Sequence, residues 1–253
     1  MSLPHALGIF GAGIAAGTIN TVVGSGTLIT FPVLLAFGYA PVVANVSNCV
    51  GLVPGSVAGA IGFRRELRGQ RARTIRLAAV ALAGGVAGAI LLLSLPASSF
   101  ETVVPVIIAT AIGLIIAQPR LARVLAARRS ARPPSQSEHV GPWGIVGVFS
   151  SGVYGGYFGA QGLLLLAILG LALEDETLHR INALKVVLAG LVNFVAGAVF
   201  VFAADVAWLP ALLIAAGSTL GGIAGARGGR RLPPAALRAV IVAVGILAII
   251  RLL

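Results

Sequence analysis

Cysteine is nearly absent from this chain: Cys49 stands alone in an apolar segment, which excludes an intrachain disulfide and a thiolate metal cluster. Histidine is almost as scarce. His5, His139 and His179 lie near segment ends rather than together, and the seven acids (Glu66, Glu101, Glu138, Glu174, Asp175, Glu176 and Asp205) lie mainly at loops or borders. No metal-ligand set, Walker loop or buried acid and base pair can be assembled from these residues, so ATP hydrolysis and enzymatic chemistry are not expected and no cofactor or metal site is assigned. Charge as a whole is sparse, at 10% of residues against 58% hydrophobic, which excludes a soluble domain with a polar exterior. The chain belongs in lipid.

What charge there is lies in clusters. Six arginines fall between Arg64 and Arg76, five between Arg120 and Arg132 and four between Arg227 and Arg238, fifteen of the eighteen basic residues. The formal charge of +11 would suggest nucleic acid in a soluble protein. Confined to short connections between apolar segments, it instead marks cytoplasmic loops, and nucleic acid is not an expected partner. The apolar segments run over 3–23, 27–40, 42–63, 74–95, 100–118, 143–158, 162–173, 179–203, 207–225 and 235–252. The first has no basic n-region and carries Thr18, Asn20 and Thr21, so it reads poorly as a cleaved signal peptide. The basic stretch 119–141, with Pro133 and Pro134, separates a first membrane repeat over 1–118 from a second over 142–253.

Glycine-rich elements recur in the two repeats. Gly8-Ile9-Phe10-Gly11 returns as Gly144-Ile145-Val146-Gly147, Gly26 as Gly162, Asn45 as Asn182, and Val57-Ala58-Gly59-Ala60 as Val195-Ala196-Gly197-Ala198. With all basic loops on one side, each repeat has an odd number of crossings after a returning pair, so the copies are inverted and both termini lie outside an inner membrane. The expected fold is therefore an all-α polytopic membrane protein with two inverted-topology repeats, each a broken or re-entrant helical hairpin plus three transmembrane helices. Segments 27–40 and 162–173 are short for a full crossing and suit half-helices. Pro32, Pro54 and Pro105 are expected to kink or break their helices.

Before each short segment lies a glycine turn, Gly24-Ser25-Gly26-Thr27 and Gly159-Ala160-Gln161-Gly162. A helix N-terminus offers unpaired N–H groups and about half a positive charge, so two such turns meeting at midplane would hold an anion without a buried cation. The same glycines also serve close packing, and that reading stays open. The single lysine, Lys185, lies inside an apolar run, as an anion contact or as a side chain snorkelling toward the interface near Arg180. All five asparagines fall in apolar segments; Asn45, Asn48 and Asn182 are candidate cavity residues, and Asn193 better fits a bridge between helices. Glu174-Asp175-Glu176 reads as a solvated cap, with gating salt bridges to nearby arginines as its alternative. Spacings of four at Gly13 and Gly17, Gly55 and Gly59, Gly84 and Gly88, and Gly217, Gly221 and Gly225 point to backbone-to-backbone helix packing.

Residues 17–28, with Phe31-Pro32-Val33-Leu34 after them, resemble the first glycine-rich motif of the TauE/SafE family of sulfite and organosulfonate exporters. Asn182-Ala183-Leu184-Lys185-Val186-Val187, then Leu191-Val192-Asn193-Phe194, Val199-Phe200 and Ala207-Trp208, is similar to that family's second-half signature. The first motif reads Gly-Ser-Gly where the family often has consecutive glycines, and Ala160-Gln161 interrupts the second. The resemblance implies secondary transport of a small sulfur-containing anion, commonly outward and coupled to the electrochemical gradient, with a proton as candidate coupling ion. A non-transporting scaffold, or the permease subunit of a larger complex, is the alternative.

Overall fold

The computed structural model describes residues 1–96, 98–117 except 101, 107, 111 and 114, then 140–173, 176–228, and 239, 242 and 243. The linker 119–139, Glu174, Asp175 and most of the expected 235–252 helix lie outside the described residues. Among the described residues the regular structure is helical: α1 (Leu3–Val22), α2 (Thr27–Ala36), α3 (Pro41–Gly62), α4 (Arg71–Ser94), α5 (Ser98–Ala117), α6 (Pro142–Phe158), α7 (Gly162–Ala172), α8 (Leu178–Ala203) and α9 (Trp208–Gly228). Six of these (α1, α3, α4, α5, α8 and α9) are long and apolar enough to cross a membrane. Their outward faces carry bulky apolar side chains such as Phe194, Phe202 and Leu212, the surface lipid requires.

Local chemistry explains where these helices begin. Proline at the first or second position starts α1, α3 and α6, where its fixed φ suits the helix and its missing N–H leaves nothing unsatisfied. Thr177 caps α8 by accepting from the Arg180 amide. Two sequence expectations need correction. Helices α2 and α3 run continuously through Pro32 and Pro54, so of the expected kinks or breaks neither helix shows a break. Helix α4 already begins at Arg71, so Arg71, Arg73 and Arg76 occupy its first turns instead of a loop. With no i−4 carbonyl inside the helix to serve, an N-terminal turn tolerates polar side chains that still reach water.

Helix α1 packs along α9, and α4 along α6; α3 lies against α9 and α8, and α8 against α4. Within each half, α1, α2 and α3 touch one another as α6, α7 and α8 do. Exchanging α1–α4 for α6–α9 maps this set of contacts onto itself, so the halves pack equivalently. Small residues make the α1–α9 and α4–α6 seams possible: a Cβ on Gly13 would lie 3.0 Å from the Ile214 carbonyl, and one on Gly152 would lie 2.7 Å from the Ala81 carbonyl. Hydroxyls add ties between helices, Thr18 donating to the Gly221 carbonyl across the α1–α9 seam and Ser218 to the Gly51 carbonyl between α9 and α3.

Candidate functional site

The chain turns twice between a longer helix and a half-length one. At the first turn Gly24 has φ +102°, at the second Gly159 has φ +79°, values that favour glycine because a Cβ would strain the backbone. Gly159 closes α6 in the left-handed conformation, and its N–H bonds back to the Gly155 carbonyl. Gly24 and Gly159 thus hold the same place, as do Thr27 and Gly162, each opening the following short helix. The elbows therefore align Gly26 with Gln161, one residue away from the Gly26–Gly162 match read from sequence.

The two elbows meet. Backbone of Gly24 lies directly on Gly162, so close that a Cβ on Gly24 would come within 2.7 Å of the Gly162 carbonyl carbon. Thr27 donates to the Gly159 carbonyl at 2.9 Å and accepts from Asn48 Nδ2 at 3.2 Å, while Thr30 donates to Asn48 Oδ1. Both ends of the Asn48 amide are thereby engaged. Thr30 lies three residues beyond Thr27 on one face of α2, a spacing from which its part was legible. Among the described residues, no backbone carbonyl accepts from the N–H groups of Ser25, Gly26 and Thr27, or of Ala160, Gln161 and Gly162. Ser25, only 1% exposed, has an Oγ with no hydrogen-bond partner beside the first set.

Two asparagines fasten the elbows reciprocally. Asn182, from α8, donates through Nδ2 to the Thr21 carbonyl at the end of α1, at 3.1 Å. Asn45, from α3, donates to the Tyr157 carbonyl at the end of α6, at 2.8 Å. Each half thus satisfies an orphan carbonyl at the C-terminal turn of the other half's elbow helix. Because a carbonyl can only accept, these bonds orient both amides, leaving Asn45 Oδ1 and Asn182 Oδ1 as their unpartnered ends. Gln161 is held likewise: Nε2 donates to the Ala189 carbonyl at 3.2 Å and to Asn193 Oδ1 at 3.3 Å, and its Oε1 has no partner. Asn193 bridges helices, since its own carbonyl accepts from Cys49 Sγ. Ala160 is buried in the elbow and makes no side-chain bond.

Lys185 does not snorkel. Its side chain is 0% exposed, and Nζ donates at 3.0 Å to the Asn20 carbonyl in the last turn of α1, where the helix dipole presents partial negative charge. Among the described residues no carboxylate pairs with it. The described acid of the expected cap, Glu176, is bound rather than solvated: Arg73 Nη1 lies 2.7 Å and Arg180 Nε 2.6 Å from its carboxylate. Arg180 also donates to the Arg68 carbonyl, and Gln70 to the Arg180 carbonyl, joining the α3–α4 loop to the start of α8. Burial works to raise the Glu176 carboxyl, but hydrogen bonds from Arg180 and Arg73 and their positive charges outweigh it and hold it below its ordinary value.

Residues 9–252 match the model of the sulfite exporter TauE/SafE family. The chain belongs to that family. It is 27% identical over 237 residues to the probable membrane transporter protein YfcA of Escherichia coli (strain K12), covering 90% of this chain and 82% of that one. A probable membrane transporter protein of Haemophilus influenzae is 26% identical over 224 residues, with 87% and 83% covered. No solved structure matches the chain. This TauE/SafE member is a multi-pass membrane protein of the transporter class; its family and relatives indicate a permease rather than an enzyme.

Proposed function

We propose that this protein is a secondary transporter carrying a small anion, with sulfite or an organosulfonate as the leading substrate, through a site where the two elbows cross. The observation that carries the reading is the contact between Gly24 and Gly162, which brings two short-helix N-termini together, each with unbonded N–H groups. Ser25, with its buried free hydroxyl, adds a donor that no protein group uses. Lys185 adds the positive charge, one turn back along α1. The equivalent packing of the halves, together with the described arginines at one end, where Arg180 meets Arg68 and Gly62 meets Ala226 beside Arg227, supports inverted repeats with alternating access, the arginine loops cytoplasmic and both termini outside. Asn48 belongs to the scaffold of this site, since its amide is already engaged at both ends by α2.

Reconstituted vesicles containing this chain alone, assayed for flux of sulfite, thiosulfate, sulfate and sulfoacetate, test the reading. Ser25→Ala is the informative variant, because its hydroxyl bonds nothing in the fold. Anion flux is expected to fall about tenfold or more with thermal stability unchanged, the loss of one buried charge-assisted bond of roughly 1.5–3 kcal/mol. Unaltered flux in Ser25→Ala, or no flux of any of the four anions, would remove the elbow site. Gly26→Leu is a poor probe, since even a Cβ there overlaps Ala16 backbone in α1.

A further inference from the structure

The unusual group in this membrane interior is Lys185, fully buried and, among the described residues, with one neutral oxygen as its only hydrogen-bond partner. An ammonium taken out of water needs a counter-charge as well as hydrogen bonds; a carbonyl and a helix end supply part of this, and the unpaired remainder is expensive. Among the described residues none of the neighbours supplies it. Helix α8 packs against α1, α3, α4, α6 and α7. The titratable side chains on these are His5 at the far end of α1, Cys49 on α3, Arg71, Arg73 and Arg76 at the loop end of α4, and Tyr154 and Tyr157 on α6. Helix α7 has none, and α8 itself adds His179 and Arg180 in its first turn. The α3–α4 loop, whose Phe63 and Leu67 pack on Ala183 and Val186, adds Arg64, Arg65, Glu66 and Arg68. Among the described residues none of these groups bonds Lys185 Nζ, and no carboxylate pairs with it. The corresponding position of the first half is Asn48, which is neutral and bonded at both ends, so the demand for negative charge falls on one half only.

We propose that Lys185 takes up a proton together with the transported anion and gives it up when the anion leaves, so that anion and proton cross in the same direction. This rests on the anion reading above. In the empty site the Nζ lone pair is free of a proton, and the remaining N–H groups keep the bond to the Asn20 carbonyl. An arriving anion brings the missing counter-charge, the lone pair accepts a proton from the aqueous side, and the loaded site carries one unit of charge less than the anion alone. Departure of the anion removes that counter-charge, and the proton follows. A permanently protonated group at this position would bind anions without moving protons.

Calorimetric titration of the purified protein with sulfoacetate, in buffers of different ionisation enthalpy, counts protons taken up per anion bound. Sulfoacetate is fully ionised near neutral pH and brings none of its own. Uptake of a proton with each bound anion is expected, read across a series of pH values. In vesicles, an inward sulfoacetate gradient is expected to acidify the lumen, read by a trapped dye under a clamped potential. Lys185→Arg, which keeps the charge and cannot release it, is expected to bind sulfoacetate with no proton uptake and no acidification. Binding by the native protein without proton uptake at any pH overturns the proposal and leaves the anion site standing. Proton uptake undiminished in both Lys185→Arg and Lys185→Gln overturns it as well. If neither sulfoacetate nor sulfite binds, the anion reading fails and the proton proposal fails with it.

Discussion

Adding one methyl group where the elbows cross should cost as much as adding one at the tightest helix seams of this protein. A Cβ built on Gly162 lies 2.5 Å from Gly24 Cα and overlaps the Gly24 carbonyl outright. Carbon atoms rest about 3.5–4.0 Å apart, so the backbones must separate by about 1 Å. Neither can move freely: Gly24 N–H is bonded to the Ile19 carbonyl at 2.9 Å, and α7 is anchored through the Leu165 amide to the Gln161 carbonyl at 2.9 Å. Overpacking of this kind costs typically about 1–3 kcal/mol and more where backbone meets backbone, so about 3 kcal/mol is the working figure for Gly162→Ala. For a chain of this size that corresponds to a fall in melting temperature of roughly 6–12 °C. Gly11→Ala is the control, since nothing lies within 4 Å of a Cβ there and alanine favours a helix by about 0.5–1 kcal/mol. Thermal unfolding of the detergent-solubilised protein, followed by tryptophan fluorescence, compares the two. A Gly162→Ala protein that melts with the native one, or a Gly11→Ala protein that loses as much, would refute the crossing as described.

Thr27→Val removes the bonds to Gly159 and Asn48 while keeping the shape, and a loss of about 1–3 kcal/mol is expected in the same assay, with Thr27→Ser largely retaining stability. Asn45→Ala and Asn182→Ala each leave one carbonyl of the opposite half unserved, and are expected to destabilise by similar amounts because their bonds are equivalent. A wide disparity between these two would count against equivalent halves. Glu176 has a lowered folded value, so its stabilising effect is complete above its ordinary value of 4.5 and disappears as pH falls through the lowered one. Melting curves at stepped acidic pH should therefore show a transition in the native protein that is absent from Glu176→Gln.

Helix positions were legible because in lipid the apolar run is the element: length alone separated the half-length α2 and α7 from the spanning helices. The boundary at Arg71 was not, since hydropathy reports where lipid begins and a helix can continue past it into water. Prolines 32 and 54 leave their helices unbroken for a related reason. A proline costs a helix one hydrogen bond and some local crowding, and surrounding helices can absorb both, which a one-dimensional pattern does not register. At the elbows, the glycine turns announced unusual backbone, but Thr27, Asn45 and Asn182 each find a partner in the other half of the chain. Nothing near Asn182 in sequence points to the Thr21 carbonyl, and nothing near Thr27 points to Gly159. Repeat alignment placed Asn45 opposite Asn182, yet their shared task, reaching across to cap the other copy's helix, emerges only once the copies are packed.

Because α1 lies along α9 and α4 along α6, what is contiguous in sequence is not what packs together in space. One packed group draws α1 and α3 from the beginning of the chain and α9 from the end, the other draws α6 and α8 from the end and α4 from the beginning, and the elbow contact spans the border between them. A chain severed in the 119–139 stretch should yield fragments that are insoluble apart and active when coexpressed, each being unable to complete either body alone.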